Sequence, residues 1–289
     1  MREYQRFLTL ASKPFDPLEL ARETERIVTR EGEEGLERKY VGIYSAPAYG
    51  GIATGYAIGC CLRCFYCWTD WSRDFPEKFG RFYPPRQVVQ GLLRAAAEGI
   101  KAPGWERFRG LKVKKLRLSG CEPTLGREHL LSILEGVKNS GYLFILETNG
   151  ILLGADRGYI RRLAEHRQNL YVRVSFKAAT PEDFTRRTGA RGEFYELPFK
   201  ALRFLLNEGV YTRAAAMTDP RVMPKEEREI LIKRLEEIDP SANYAETLEE
   251  ETVDPYETSL ARIKAYFDMD YARRLSSRFR RESVMRTDT

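Results

Sequence analysis

Apolar residues along the chain fall into two alternating rhythms. Short apolar runs of strand length occur at Ile52-Ala53-Thr54-Gly55-Tyr56-Ala57-Ile58, Leu111 to Leu118, Leu143-Phe144-Ile145-Leu146, Leu170 to Phe176 and Tyr211 to Met217. Between them, Arg86 to Glu98, Glu128 to Lys138, Tyr159 to Glu165 and Phe194 to Asn207 carry the spacing of helices. Strands that alternate with helices in this way pair in parallel, which predicts an α/β fold, either an open sheet or a full or partial barrel. Ligands then belong at the C-terminal ends of the strands.

Outside this alternation the pattern weakens. Asp16 to Glu37 predicts an exposed amphipathic helix, broken near Gly32 and Gly35. A helical stretch is expected from Pro224 to Ile238, then an acidic linker, then a helix from Tyr256 to Phe279, whose Tyr256, Tyr266, Phe267 and Tyr271 are read as its buried face. The expected division is a helical N-terminal extension (1–45), a core (46–239) and a charged, helical C-terminal extension (240–289).

Composition adds little to the fold and more to the setting. With 43% hydrophobic and 31% charged residues, the 289 residues can form one core with a polar surface. No apolar run approaches the roughly 18 residues of a membrane span, and Met1-Arg2-Glu3-Tyr4-Gln5-Arg6 opens no signal-peptide pattern. A cytoplasmic location without membrane contact is the expectation. The net charge of +6 favours phosphate-bearing or acidic partners in a general way. Glu246, Glu249, Glu250, Glu251, Asp254 and Glu257 on one side, and Arg273, Arg274, Arg278, Arg280 and Arg281 on the other, are read as two solvated faces.

Four of the five cysteines, Cys60, Cys61, Cys64 and Cys67, crowd into eight residues after the first strand, which suits a metal or redox site better than distant disulfides. Cys60, Cys64 and Cys67 offer three thiolates to a 4Fe-4S cluster and leave one iron open for a small molecule. A zinc site or a Cys64/Cys67 redox pair remain alternatives, although zinc would want a fourth ligand. Cys61 follows Cys60 too closely to serve, and His129 and His166 are read as ordinary, partly exposed residues.

Cys60-Cys61-Leu62-Arg63-Cys64-Phe65-Tyr66-Cys67 resembles the signature of the radical S-adenosylmethionine superfamily, including the aromatic residue before the last cysteine. Three further segments strengthen the resemblance. They are Ser119-Gly120-Cys121-Glu122-Pro123, where the family usually has Gly-Gly-Glu-Pro, then Glu147-Thr148-Asn149-Gly150, and Val174-Ser175-Phe176-Lys177. Ser119 and Cys121 depart from the usual pattern, and Cys121 is read as a small space-filling residue.

The resemblance implies a partial (β/α)6 barrel of parallel strands with helical N- and C-terminal extensions. It further implies one 4Fe-4S cluster on Cys60, Cys64 and Cys67, with S-adenosylmethionine near Tyr66, Gly120, Cys121, Glu122, Pro123, Glu147, Asn149, Ser175 and Lys177. In such enzymes reductive cleavage of the cofactor yields a 5'-deoxyadenosyl radical that takes hydrogen from a substrate, with a donor such as flavodoxin or ferredoxin supplying the electron.

Too few cysteines remain for an auxiliary cluster or a C-terminal methyl carrier. Single-cluster members are therefore the nearer comparison: glycyl-radical-enzyme activases, relatives of 7-carboxy-7-deazaguanine synthase, and nucleic-acid modifiers. That leaves the substrate among a partner protein, a small molecule and RNA. The competing expectation is a metal-stabilised nucleic-acid-binding module without catalysis.

Overall fold

The computed structural model describes residues 4–281. Nine strands form a single sheet: β1 (Thr29–Gly32), β2 (Gly35–Ala46), β3 (Ile52–Ala57), β4 (Arg81–Tyr83), β5 (Lys115–Gly120), β6 (Leu143–Thr148), β7 (Leu170–Phe176), β8 (Tyr211–Met217) and β9 (Glu249–Glu251). The order is β1-β2-β3-β5-β6-β7-β8-β9, with β4 on β2. From β3 to β9 every pairing is parallel, giving six parallel strands with helices between them. This is the mixed α/β, partial-barrel architecture expected. β1, β2 and β4 add antiparallel pairings at one edge.

Alternation within the strands sorts residues between the helical layer and the interior. On β5, Leu116 and Leu118 are fully buried in the main core, whereas Arg117 and Ser119 turn to the other face. β7 repeats the pattern, with Leu170, Val172, Val174 and Phe176 in the core and Arg173 and Ser175 inside. An apolar floor of Ile52, Ile145 and Tyr171 lies below these polar positions. Every residue of β3 and β7 is buried, as expected of parallel strands covered on both faces.

Several elements differ from the sequence expectation. The N-terminal helix is Pro17–Val28, capped by Asp16, whose side chain accepts from the Leu18 and Glu19 amides. It ends at Val28 because residues 29–46 form a β-hairpin, in the register Thr29↔Arg38 to Gly32↔Gly35. The fifth strand begins at Lys115, not Leu111. The acidic stretch contains β9, paired with β8; Glu246, Glu250, Asp254 and Glu257 are exposed, as expected of a solvated face, but Glu249 and Glu251 are half-buried and pair with Arg173, and Glu250 pairs with Arg228.

The single helix expected from Tyr256 to Phe279 is two, Glu257–Phe267 and Met269–Arg281, separated at Asp268. Tyr266 is buried and stacks on Phe65 at 4.5 Å, but Tyr256 and Phe267 are exposed, so only part of the aromatic set faces inward. Residues 1–3 and 282–289, the ends of both expected extensions, lie outside the described residues, as do the side chains of Arg280 and Arg281. Among the described residues no helix is long and apolar enough to cross a membrane.

Candidate functional site

The cysteine segment leaves β3 at Ala57 and is held by backbone bonds to distant loops. Arg63 N donates to Thr188 O (3.0 Å) and Phe65 N to Arg187 O (3.2 Å). The buried Arg63 guanidinium donates to the carbonyls of Cys60 (2.7 Å) and Leu62 (2.8 Å). A cavity of about 340 Å³ opens against this loop, with Cys60, Cys64 and Cys67 in its wall, near the low end of the range for ligand pockets. Cys61 is fully buried beside the Asn149 amide, whose Nδ2 lies 3.3 Å from its sulfur.

The three thiols differ electrostatically. A hydrogen bond from Cys61 draws Cys60 downward against its burial. Burial raises Cys64 to about 11. At Cys67 burial also pushes upward, but the charges of Arg73 and Arg262 and a bond with Thr69 more than reverse it. The donor set, three thiols on one wall with guanidiniums behind them, suits an iron–sulfur cluster. Tyr66 lines the same cavity, 5% exposed, and its hydroxyl has no hydrogen-bond partner, which suits a polar ligand. Among the described residues no three His, Cys, Asp or Glu side chains gather as they would on a single metal ion.

The ends of β5 and β6 build the next wall. Gly120 has φ +92°, and a Cβ there would lie 2.6 Å from the Tyr56 ring and 2.9 Å from Ala57 O, so the close approach of β5 to β3 requires glycine. Cys121 N then donates to Ala57 O and Glu122 N to Gly59 O. The Glu122 carboxylate is 2% exposed and already occupied. It accepts from Thr124 N (3.1 Å), Thr124 Oγ1 (2.6 Å), Thr148 Oγ1 (2.7 Å) and Asn149 N (2.8 Å).

Glu147 is also engaged, by Tyr49 OH and Ser119 Oγ (2.6 Å each) and by Arg117 (3.2 Å). Burial raises its carboxyl, yet Arg117 and these two donors bring it below the usual range. On β7, Lys177 Nζ donates to Ser175 Oγ at 2.5 Å. Residues 251–254 close the far rim, with Val253 N held by Asp219 Oδ2 at 3.0 Å.

Of the expected cofactor residues, Tyr66, Gly120, Cys121, Glu122, Glu147, Asn149, Ser175 and Lys177 line this one cavity. Pro123 does not; its carbonyl accepts from Arg38 (2.6 Å) behind the wall. His129 and His166 are buried, not partly exposed. Sequence reasoning missed Tyr49, Arg117, Arg173 and residues 251–254. Arg117 and Arg173 were accessible to it, as single polar positions recurring with period two inside buried strands; Tyr49 and the rim carry no local signal.

Residues 56–238 match the Radical SAM superfamily, and the chain belongs to that superfamily. It is accordingly an enzyme of the radical S-adenosylmethionine class, whose members use S-adenosylmethionine and an iron–sulfur cluster and need a reductant and a substrate; the expectation of a non-catalytic binding module falls.

An uncharacterized protein, ORF301 of Acidianus two-tailed virus, is 26% identical over 246 residues, covering 79% of this chain and 78% of the viral one. Streptococcus suis SuiB bound to S-adenosylmethionine aligns with a TM-score of 0.53 at 16% identity, over 77% of this chain and 45% of SuiB. SuiB bound to precursor peptide SuiA gives 0.52 at 15%, over 83% and 44%. The chain spans less than half of SuiB, and this likeness is one of fold.

Proposed function

We propose that Cys60, Cys64 and Cys67 hold a single 4Fe-4S cluster and that S-adenosylmethionine takes the remaining iron. When bound, this pair supplies one-electron cleavage of the sulfonium and a 5'-deoxyadenosyl radical that takes hydrogen from a substrate. The supporting observation is convergence: three cysteines with Tyr66, and seven expected residues from three other segments, open onto one cavity at the C-terminal strand ends.

The chain's own residues divide the remaining tasks. Tyr66, Asn149, Ser175 and Lys177 present polar groups to the cofactor, with the Tyr66 hydroxyl free to bond. Glu122 acts as a positioning residue, fixing Thr148 and the Asn149 amide, since its carboxylate is already filled. Glu147, held ionised between Arg117 and Tyr49, presents fixed charge, and Trp68 with residues 251–254 forms the rim that a substrate crosses. A donor such as flavodoxin or ferredoxin supplies the electron.

The test is anaerobic reconstitution with iron and sulfide, reduction with dithionite, and assay of 5'-deoxyadenosine beside a Cys60/Cys64/Cys67→Ala triple variant. Wild type is expected to load a brown cluster and form 5'-deoxyadenosine, and the variant to do neither. Equal iron loading by both proteins, or zinc in place of iron, overturns the cysteine assignment.

A further inference from the structure

Beyond the cysteines, the same loop turns over a buried set of charges that the reading above does not use. Arg73, Asp74 and Arg262 are 2%, 0% and 1% exposed. Arg73 donates to Asp74 Oδ1 through Nε (3.0 Å) and Nη2 (2.5 Å). Arg262 donates to Oδ2 through Nε (3.1 Å) and Nη2 (2.5 Å). Their remaining donors go to backbone: Arg73 Nη1 to Cys64 O (2.7 Å), and Arg262 to the carbonyls of Cys67 (2.7 Å), Thr69 (2.5 Å) and Asp70 (2.7 Å).

Arg262 lies on the helix Glu257–Phe267, 195 positions from Cys67. The C-terminal segment thus reaches back across the cavity rim and grips the loop from behind. Its fork fits this task, since one planar guanidinium can satisfy three carbonyls and a carboxylate together. The charges do not balance: Arg73 and Arg262 share the single carboxylate of Asp74, Arg63 beside them donates only to carbonyls, and the Asp70 carboxylate accepts from Ser72 and pairs with none of the three. A buried surplus charge is costly, and apolar side chains would fill the space at less expense in desolvation.

We propose that Arg262 is a positioning residue that shapes the cysteine loop for its cluster and, through this surplus positive charge, makes the bound cluster easier to reduce. The inference rests on the assignment of Cys60, Cys64 and Cys67. Reduction adds one negative charge to the cluster, and net charge and hydrogen bonding around a cluster set its potential. Removing a neighbouring cation therefore makes the midpoint more negative.

The experiment compares reconstituted wild type, Arg262→Gln and Arg262→Lys by iron and sulfide content and by one-electron titration with dithionite as the electron source, followed by the paramagnetic resonance signal of the reduced state. Arg262→Gln should load less cluster and be about tenfold harder to reduce, about 59 mV lower for one electron. Arg262→Lys, which keeps the charge and loses the fork, should load poorly but return to within a third of that shift. A residue that only braced the loop would lower loading and leave the potential unmoved, and that result overturns the charge bias.

If Arg262→Gln does not fold by circular dichroism, Asp74→Asn carries the test with the opposite sign: its midpoint must rise, and an unchanged or lower value overturns the proposal. Wild type that loads normally while both Arg262 variants match it in loading and potential overturns the proposal alone. If the triple cysteine variant loads like wild type, the cysteine assignment fails and takes the proposal with it.

Discussion

At the hairpin edge of the sheet, Arg38, Tyr40 and His129 are fully buried and bonded to neutral groups. Arg38 donates to the carbonyls of Ile58 (3.3 Å), Glu122 (2.7 Å), Pro123 (2.6 Å) and Leu125. At the opposite edge, Arg173 on β7 bridges Glu249 and Glu251 on β9, and those carboxylates are 34% and 33% exposed. The first arrangement joins the segments that follow β3 and β5, where the cysteines and Glu122 must keep one shape. The second closes the sheet beside the cavity rim with charges that water and salt can reach. The hairpin edge should therefore be indifferent to salt, while the far edge should weaken as salt screens its charges.

The largest expected effect breaks the first arrangement. Arg38→Met leaves several buried carbonyls without donors, each costing about 1–3 kcal/mol before relaxation, so the variant should lose more than about 3 kcal/mol. Urea denaturation of the cluster-free protein measures this, and a loss under about 1 kcal/mol would show that the carbonyls find other donors.

Acid tests the same region through His129. Leu36 O accepts from Nδ1 at 2.7 Å, so in the neutral ring Nε2 accepts a hydrogen bond from the Tyr40 hydroxyl (2.9 Å). Burial first, and the nearby Arg38 charge after it, lower its pKa from 6.5 to about 4. Since the unfolded chain binds the proton more readily, this contribution to stability is complete above about pH 6.5 and is lost as pH falls toward 4, by about 3 kcal/mol in all. Urea midpoints measured at steps from pH 7 to pH 4 should fall in wild type and fall less in His129→Gln; equal slopes would assign the acid sensitivity elsewhere.

These contacts also show what could be read in the sequence. β3, β6, β7 and β8 were legible because strands buried on both faces are written as apolar runs. β9 was not, because Glu249-Glu250-Glu251 has no strand character of its own and becomes a strand through Arg173 on one side and Arg228 on the other. β2 hid for a related reason: Arg38 and Lys39 look like surface residues, but the first holds four carbonyls and the second those of Pro76 and Glu77. The site divided similarly. Segments contiguous in sequence, from Cys60–Cys67 to Ser175 and Lys177, could be found; Arg262 and Tyr49 reach the site only through the fold.

The smallest effects separate the far edge from ordinary surface pairs. Arg173 is 10% exposed and serves two carboxylates, whereas Arg228, 28% exposed, serves Glu250, which is 41% exposed. Arg173→Met should cost about 2 kcal/mol, between the values for exposed and buried pairs. Arg228→Met should cost about 0.5 kcal/mol, the usual worth of a surface bridge. Raising the salt from 0.1 to 1 M should narrow both differences from wild type while leaving the Arg38→Met deficit unchanged, because screening reaches only charges open to water. If salt instead narrowed the Arg38 deficit and spared that of Arg173, the division between the two edges would be reversed. That matters for the site, since the far edge carries the rim from which Arg262 returns to the cysteine loop.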